Sequence, residues 1–152
     1  MKTRKTKKEI QPTSFNVKEV ARIAGVSCRR LDYWDETGLL SPSLTSVSDR
    51  GTSRLYSVED IIQVKILVRL RQSSIPLQRI RRSFRFIKNR GESLESSIIL
   101  TDGKTIYLYQ DDDLLVDTLK KGQMVLRITV QDLIAEVQQK VSEISGEKNG
   151  TA

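Results

Sequence analysis

Three helix starts built to one design constrain this chain more than any other feature in it. Each sets a short polar side chain between an apolar residue directly before it and another four positions after it. Asn16 lies between Phe15 and Val20, Ser27 between Val26 and Leu31, and Ser57 between Tyr56 and Ile61. The polar oxygen can accept from an unpaired backbone N–H of the first turn, while the two apolar side chains staple the incoming chain to the helix. Glu19, three positions after Asn16, adds the reciprocal acceptor of a capping box. The spacing predicts a first helix over 17–24 broken by Gly25, and a second over 27–37 stopped by Gly38 in the left-handed conformation.

Two short helices around a glycine suit a helix-turn-helix, which needs a small residue at the close approach, glycine in the turn and an apolar anchor on the second helix. Ala21, Gly25 and Leu31 occupy those places. Beyond them, 39–43 and 54–56 are predicted as short strands around a polar turn at 48–53, a candidate wing. Helices over 58–72 and 76–88 close the unit, the latter with Leu77, Ile80, Phe84 and Ile87 on one face. The pattern then changes. Segments 98–100 and 105–109 flank Thr101, Asp102, Gly103 and Lys104 as a hairpin, followed by a short helix over 111–121 and a strand over 124–128. Val130, Ile134, Val137, Val141 and Ile144 then form a stripe on a last helix, suited either to pairing with a second copy or to packing on its own sheet. The expected class is mainly α: a winged helix-turn-helix over 15–90 followed by a small α+β module with a C-terminal helix over 91–145. A basic flexible arm over 1–14 precedes them and a disordered tail over 146–152 follows.

Charge is distributed to match. The net charge of +7 divides into +4 over 1–14, +7 over 15–92 and −4 over the remainder, so only the first part is suited to a polyanion. One cysteine and no histidine exclude an internal disulfide, a zinc cluster and Ser-His-Asp or Cys-His catalysis. No enzyme, cofactor or metal is expected. No apolar run approaches the ~18 residues that would span a bilayer, and MKTRKTKKEI lacks the apolar stretch of a secretory signal, so the expected location is the cytoplasm, at the nucleoid.

If the second helix enters the major groove, its first turns present Ser27, Cys28, Arg29, Arg30 and Tyr33. Arginine can pair bidentately with guanine or clamp a phosphate, and Tyr33 can donate its hydroxyl to phosphate or pack on the wing. Lys18 on the first helix is a further candidate contact. Arg79, Arg81, Arg82, Arg85 and Lys88 wrap round the fourth helix, so some must be solvated and one or two could touch the DNA backbone. Cys28 alone cannot make a soft-metal sensor, and Asp111, Asp112 and Asp113 read as the acidic start of a helix rather than a cation site.

The stretch FNVKEVARIAGVSCRRLDYWDETGLLSPS followed by RLYSVEDI resembles the MerR family of bacterial transcription regulators over about residues 15–90. The resemblance implies a homodimer that binds double-stranded promoter DNA with dyad symmetry and distorts it, with RNA polymerase as a further partner. It implies that Tyr33 contacts phosphate, that Arg29 is a contact of the second helix, and that Arg54 is the wing arginine on phosphate. The chain departs from the family pattern at Asp32, where arginine is usual, and at Trp34, where a second tyrosine is usual. Asp32 is expected to pair with Arg29 or Arg30. The longer connection from Pro42 to Arg54 makes Arg50 an extra wing contact, and Pro76 replaces a polar cap. An excisionase-like or architectural DNA-binding protein, an antitoxin, and an RNA-binding or adaptor module remain alternatives.

Overall fold

The computed structural model describes residues 14–49, 51–90, 97–103, 105–109 and 126–150. All three predicted helix starts carry their caps. Asn16 Oδ1 accepts from the Glu19 N–H at 2.9 Å while Glu19 Oε1 accepts from the Asn16 N–H at 3.0 Å, opening α1 (Val17–Ala24). Ser27 Oγ accepts from the Arg30 N–H at 3.1 Å, opening α2 (Cys28–Glu36). Ser57 Oγ and Asp60 form a second reciprocal box that opens α3 (Val58–Gln72). Gly25 takes the left-handed conformation at φ 72°, and the Gly25 and Val26 N–H groups both donate to the Ala21 carbonyl. This turns the chain from α1 into α2 within three residues, with the small Ala21 at the corner.

Two of the three staples meet. Phe15 and Tyr56, each the residue before its cap, exchange backbone hydrogen bonds of 2.9 and 2.8 Å, so the starts of α1 and α3 lie side by side. Phe15, Val20, Leu31, Tyr56 and Ile61 are all buried.

The wing is a hairpin of β1 (Leu44–Ser48) and β2 (Gly51–Leu55), paired antiparallel from Leu44↔Leu55 to Ser48↔Gly51. This corrects the sequence reading, which put the first strand at 39–43 and a broad turn at 48–53. Leu39 and Leu40 are apolar because they cap α2 from below: both are buried, and both N–H groups donate to the Trp34 carbonyl. The two strands of five residues span roughly 16 Å at about 3.3 Å per residue. Their residues are mostly exposed.

After α3, Ser74 at φ 67° and the buried Ile75 lead into α4 (Leu77–Arg90). The second half supplies an antiparallel sheet of β3 (Ile98–Thr101), β4 (Ile106–Tyr109) and β5 (Leu126–Thr129) in the order β4-β3-β5. The hairpin expected at 98–109 is present, its turn held by the Gly103 N–H on Thr101 Oγ1 and the Thr105 N–H on Asp102 Oδ1. The expected 1–14 arm (apart from Ser14), the helix at 111–121 and Arg50 fall outside the described residues.

The last helix, α5 (Val130–Gly150), continues past Gly146, where the sequence reading began a disordered tail. Val130, Val137, Val141 and Ile144 of the predicted stripe, with Leu133 in the place expected for the half-buried Ile134, are buried in one hydrophobic cluster with Val20 of α1, Val64 and Leu67 of α3, and Ile99 and Ile128 of the sheet. Of the two roles open to the stripe, packing within its own chain is the one adopted. Lys65 Nζ of α3 reinforces this contact with a 2.9 Å ion pair to Glu136 Oε2 of α5. Among the described residues no helix is long and apolar enough to cross a membrane.

Candidate nucleic-acid interface

The second helix is divided lengthwise. Leu31 and Trp34 are buried, and Cys28 turns half-buried toward α1, its Sγ 3.9 Å from the Val17 carbonyl oxygen. Cys28 therefore leaves the set of outward residues in which the sequence reading had placed it. Arg29 and Tyr33, four residues apart and so on one helical face, point away from the core together with Arg30. Arg29 and Arg30 are exposed and the Tyr33 side chain is 53% accessible. Ser27 is exposed beside them; its oxygen already accepts the Arg30 N–H, which leaves its own hydroxyl hydrogen to donate outward. No acid lies in the first turn of α2, so the positive end of the helix dipole and the two guanidinium groups act in the same direction. Lys18 is exposed on α1.

Asp32 is exposed and makes no ion pair with Arg29 or Arg30, contrary to expectation. It lines a groove between α2 and the wing together with Asp35, Pro42, Ser46, Arg54 and Tyr56. Arg54 is engaged in this groove. Its Nη1 donates to both carboxylate oxygens of Asp35 at 3.0 and 3.1 Å, and its Nη2 donates to the Pro42 carbonyl at 3.2 Å. The buried Tyr56 hydroxyl has its pKa pushed up to about 12, first by loss of hydration and then by the negative charges of Asp35, Asp32 and Asp60.

Two residues missed by sequence reasoning hold this surface in shape. Asp60, nearly buried, accepts from the Ser43 N–H at 2.9 Å and the Ser43 hydroxyl at 2.7 Å as well as from the Ser57 N–H at 2.9 Å. The third position after Ser57 signalled the cap but not the tie to Ser43. Arg81, grouped by sequence with the solvated arginines of α4, donates instead to the Thr37 carbonyl at the end of α2. No local pattern marks that contact.

Residues 15–87 match the family model described as the MerR HTH family regulatory protein. Relatives include HTH-type transcriptional regulators of Mycobacterium bovis and of two strains of Mycobacterium tuberculosis, each 36% identical over 128 residues. The matched stretch covers 84% of this chain and 57% of each relative, so the chain spans little more than half their length. The matched segment holds the stapled helix pair, the wing and almost all of α4, the parts that build the basic outward face of α2. Over residues 15–87, a little under half of its length, the chain is similar to the MerR HTH family of regulatory proteins.

Proposed function

We propose that this chain is a sequence-specific regulator of transcription that places α2 in the major groove of double-stranded DNA and rests its wing on the phosphates. The observation that carries the reading is the lengthwise division of α2, with Leu31 and Trp34 in the core and Arg29, Arg30 and Tyr33 turned outward from a first turn free of acids. Arg29 and Arg30 read base edges or hold phosphate, while Ser27, Tyr33 and Lys18 position the helix on the backbone. Arg50, in the wing turn by sequence, adds a backbone contact. Two copies bind a promoter with dyad symmetry in the cytoplasm and so govern the access of RNA polymerase. Their pairing uses a surface other than the apolar stripe of α5, which its own chain covers.

Footprinting of the purified chain on genomic fragments tests this. A protected promoter segment with two-fold symmetry is expected, and binding should weaken steeply with salt. Protection confined to a recombination attachment site, or single-stranded RNA competing as well as duplex DNA, would overturn it.

A further inference from the structure

The wing has little apolar packing to set its direction. Leu44 and Leu55 at its root are half-buried, and the residues above them are largely exposed, including Val47 at 78%. Polar contacts at the root take that role. One guanidinium, that of Arg54 on β2, reaches the end of α2 through Asp35 and the α2–β1 connection through the Pro42 carbonyl. The next residue, Ser43, is tied by N–H and hydroxyl to Asp60 at the start of α3. With Nη1 on the Asp35 carboxylate and Nη2 on the Pro42 carbonyl, the planar guanidinium bridges two acceptors at a fixed angle, which a lysine ammonium in the same place would not do.

We propose that Asp35 and Arg54 are a positioning pair that sets the wing at its working angle to α2, so that Asp35, an acid beside a DNA-binding surface, is required for DNA binding. This rests on the DNA-binding reading above. It differs from a role for Arg54 as a phosphate grip, in which Asp35 would compete with DNA for the guanidinium and its loss would help binding.

The test uses the full chain and a duplex that the unaltered chain recovers from a random-sequence pool. Failure to recover any duplex with salt-dependent affinity would remove the DNA-binding reading itself. Given a duplex, Asp35→Asn, Arg54→Lys and Arg54→Ala should each weaken binding by about tenfold, and the double variant Asp35→Asn/Arg54→Lys should be no weaker than either single change, as expected of a coupled pair. The melting temperature should hold steady, because the Arg54 side chain is 54% accessible and its pairing adds little to stability. The slope of log affinity against log salt should change alike in Asp35→Asn and Arg54→Ala, since both release the same wing from the same phosphates. The pairing role is overturned if Asp35→Asn binds as tightly as the original chain or tighter. It is equally overturned if Arg54→Lys keeps its affinity while Arg54→Ala loses it with a slope smaller by about 0.9. Affinity losses that merely follow losses in melting temperature would overturn it as well.

Discussion

Arg81 of α4 reaches back 44 positions to donate from Nη1 to the carbonyl oxygen of Thr37 at 2.7 Å. Thr37 closes α2, where the last carbonyls lack partners within the helix and the negative end of its dipole lies. The last turn of α2 holds no basic residue of its own, so the complementary cation comes from another helix. Arg81→Ala should therefore lower stability by about 1–2 kcal/mol, the worth of a hydrogen bond to a charged group in a half-buried place. Urea unfolding measures this, and an unchanged midpoint would show that the contact contributes nothing.

Asp60 gathers three hydrogen bonds in a nearly buried position, so its removal leaves the Ser43 and Ser57 N–H groups without acceptors. Asp60→Ala is expected to cost about 2–4 kcal/mol, a lost cap plus buried donors left unpaired. Ser43→Ala keeps the cap and both N–H bonds and should cost about 1 kcal/mol or less. Equal losses in the two variants would contradict this division.

For the outward face of α2, Arg29→Ala or Arg30→Ala should weaken binding to the preferred duplex by about 1–3 kcal/mol and relax sequence preference at the base pair read. Tyr33→Phe should weaken all duplexes alike, because a phosphate contact carries no sequence information. Competition between preferred and scrambled duplexes distinguishes the two patterns. Full retention of preference in both arginine variants would remove base reading from α2.

Tyr56 makes stability depend on alkaline pH. Its hydroxyl ionises near the ordinary value of 10.0 in the unfolded chain but near about 12 when folded, because burial and neighbouring carboxylates resist a further negative charge. Below pH 10 its contribution is fully present. Between pH 10 and 12 the unfolded state binds fewer protons than the folded state, so stability falls, by about 2 kcal/mol across the window. Tyr56→Phe should flatten that part of the pH profile, seen as urea midpoints of the two proteins that converge as pH rises. Parallel profiles would disprove the effect.

The α5 stripe shares one core with the helix-turn-helix. Leu133→Ala, at a residue 2% accessible, should cost about 2–4 kcal/mol and shift a single unfolding transition that includes both halves. Loss of the α5 signal in a separate, earlier transition would mean that the halves fold independently.

Much of the fold was legible because it is local. The caps at Asn16, Ser27 and Ser57, the left-handed stops at Gly25 and Gly38, and the hairpin between Ile98 and Tyr109 all depend on partners within a few residues, and Leu31, the staple partner of Val26, marked the buried side of α2. The first wing strand was misplaced because Leu39 and Leu40 are apolar for a tertiary reason, the closure of α2, and neighbouring apolar residues in a buried connection read like a strand.

The sequence by itself therefore determined where helices begin and stop and which way α2 faces, since those outcomes are decided by dihedral preference and by contacts one turn away. Only the tertiary structure decided that Phe15 joins Tyr56, that Asp60 holds Ser43, that Arg54 answers Asp35, and that the α5 stripe is spent within its own chain. The physical reason is that an exposed-looking acid or arginine has many possible partners along an open chain. Folding selects one by bringing distant backbone segments within hydrogen-bonding reach.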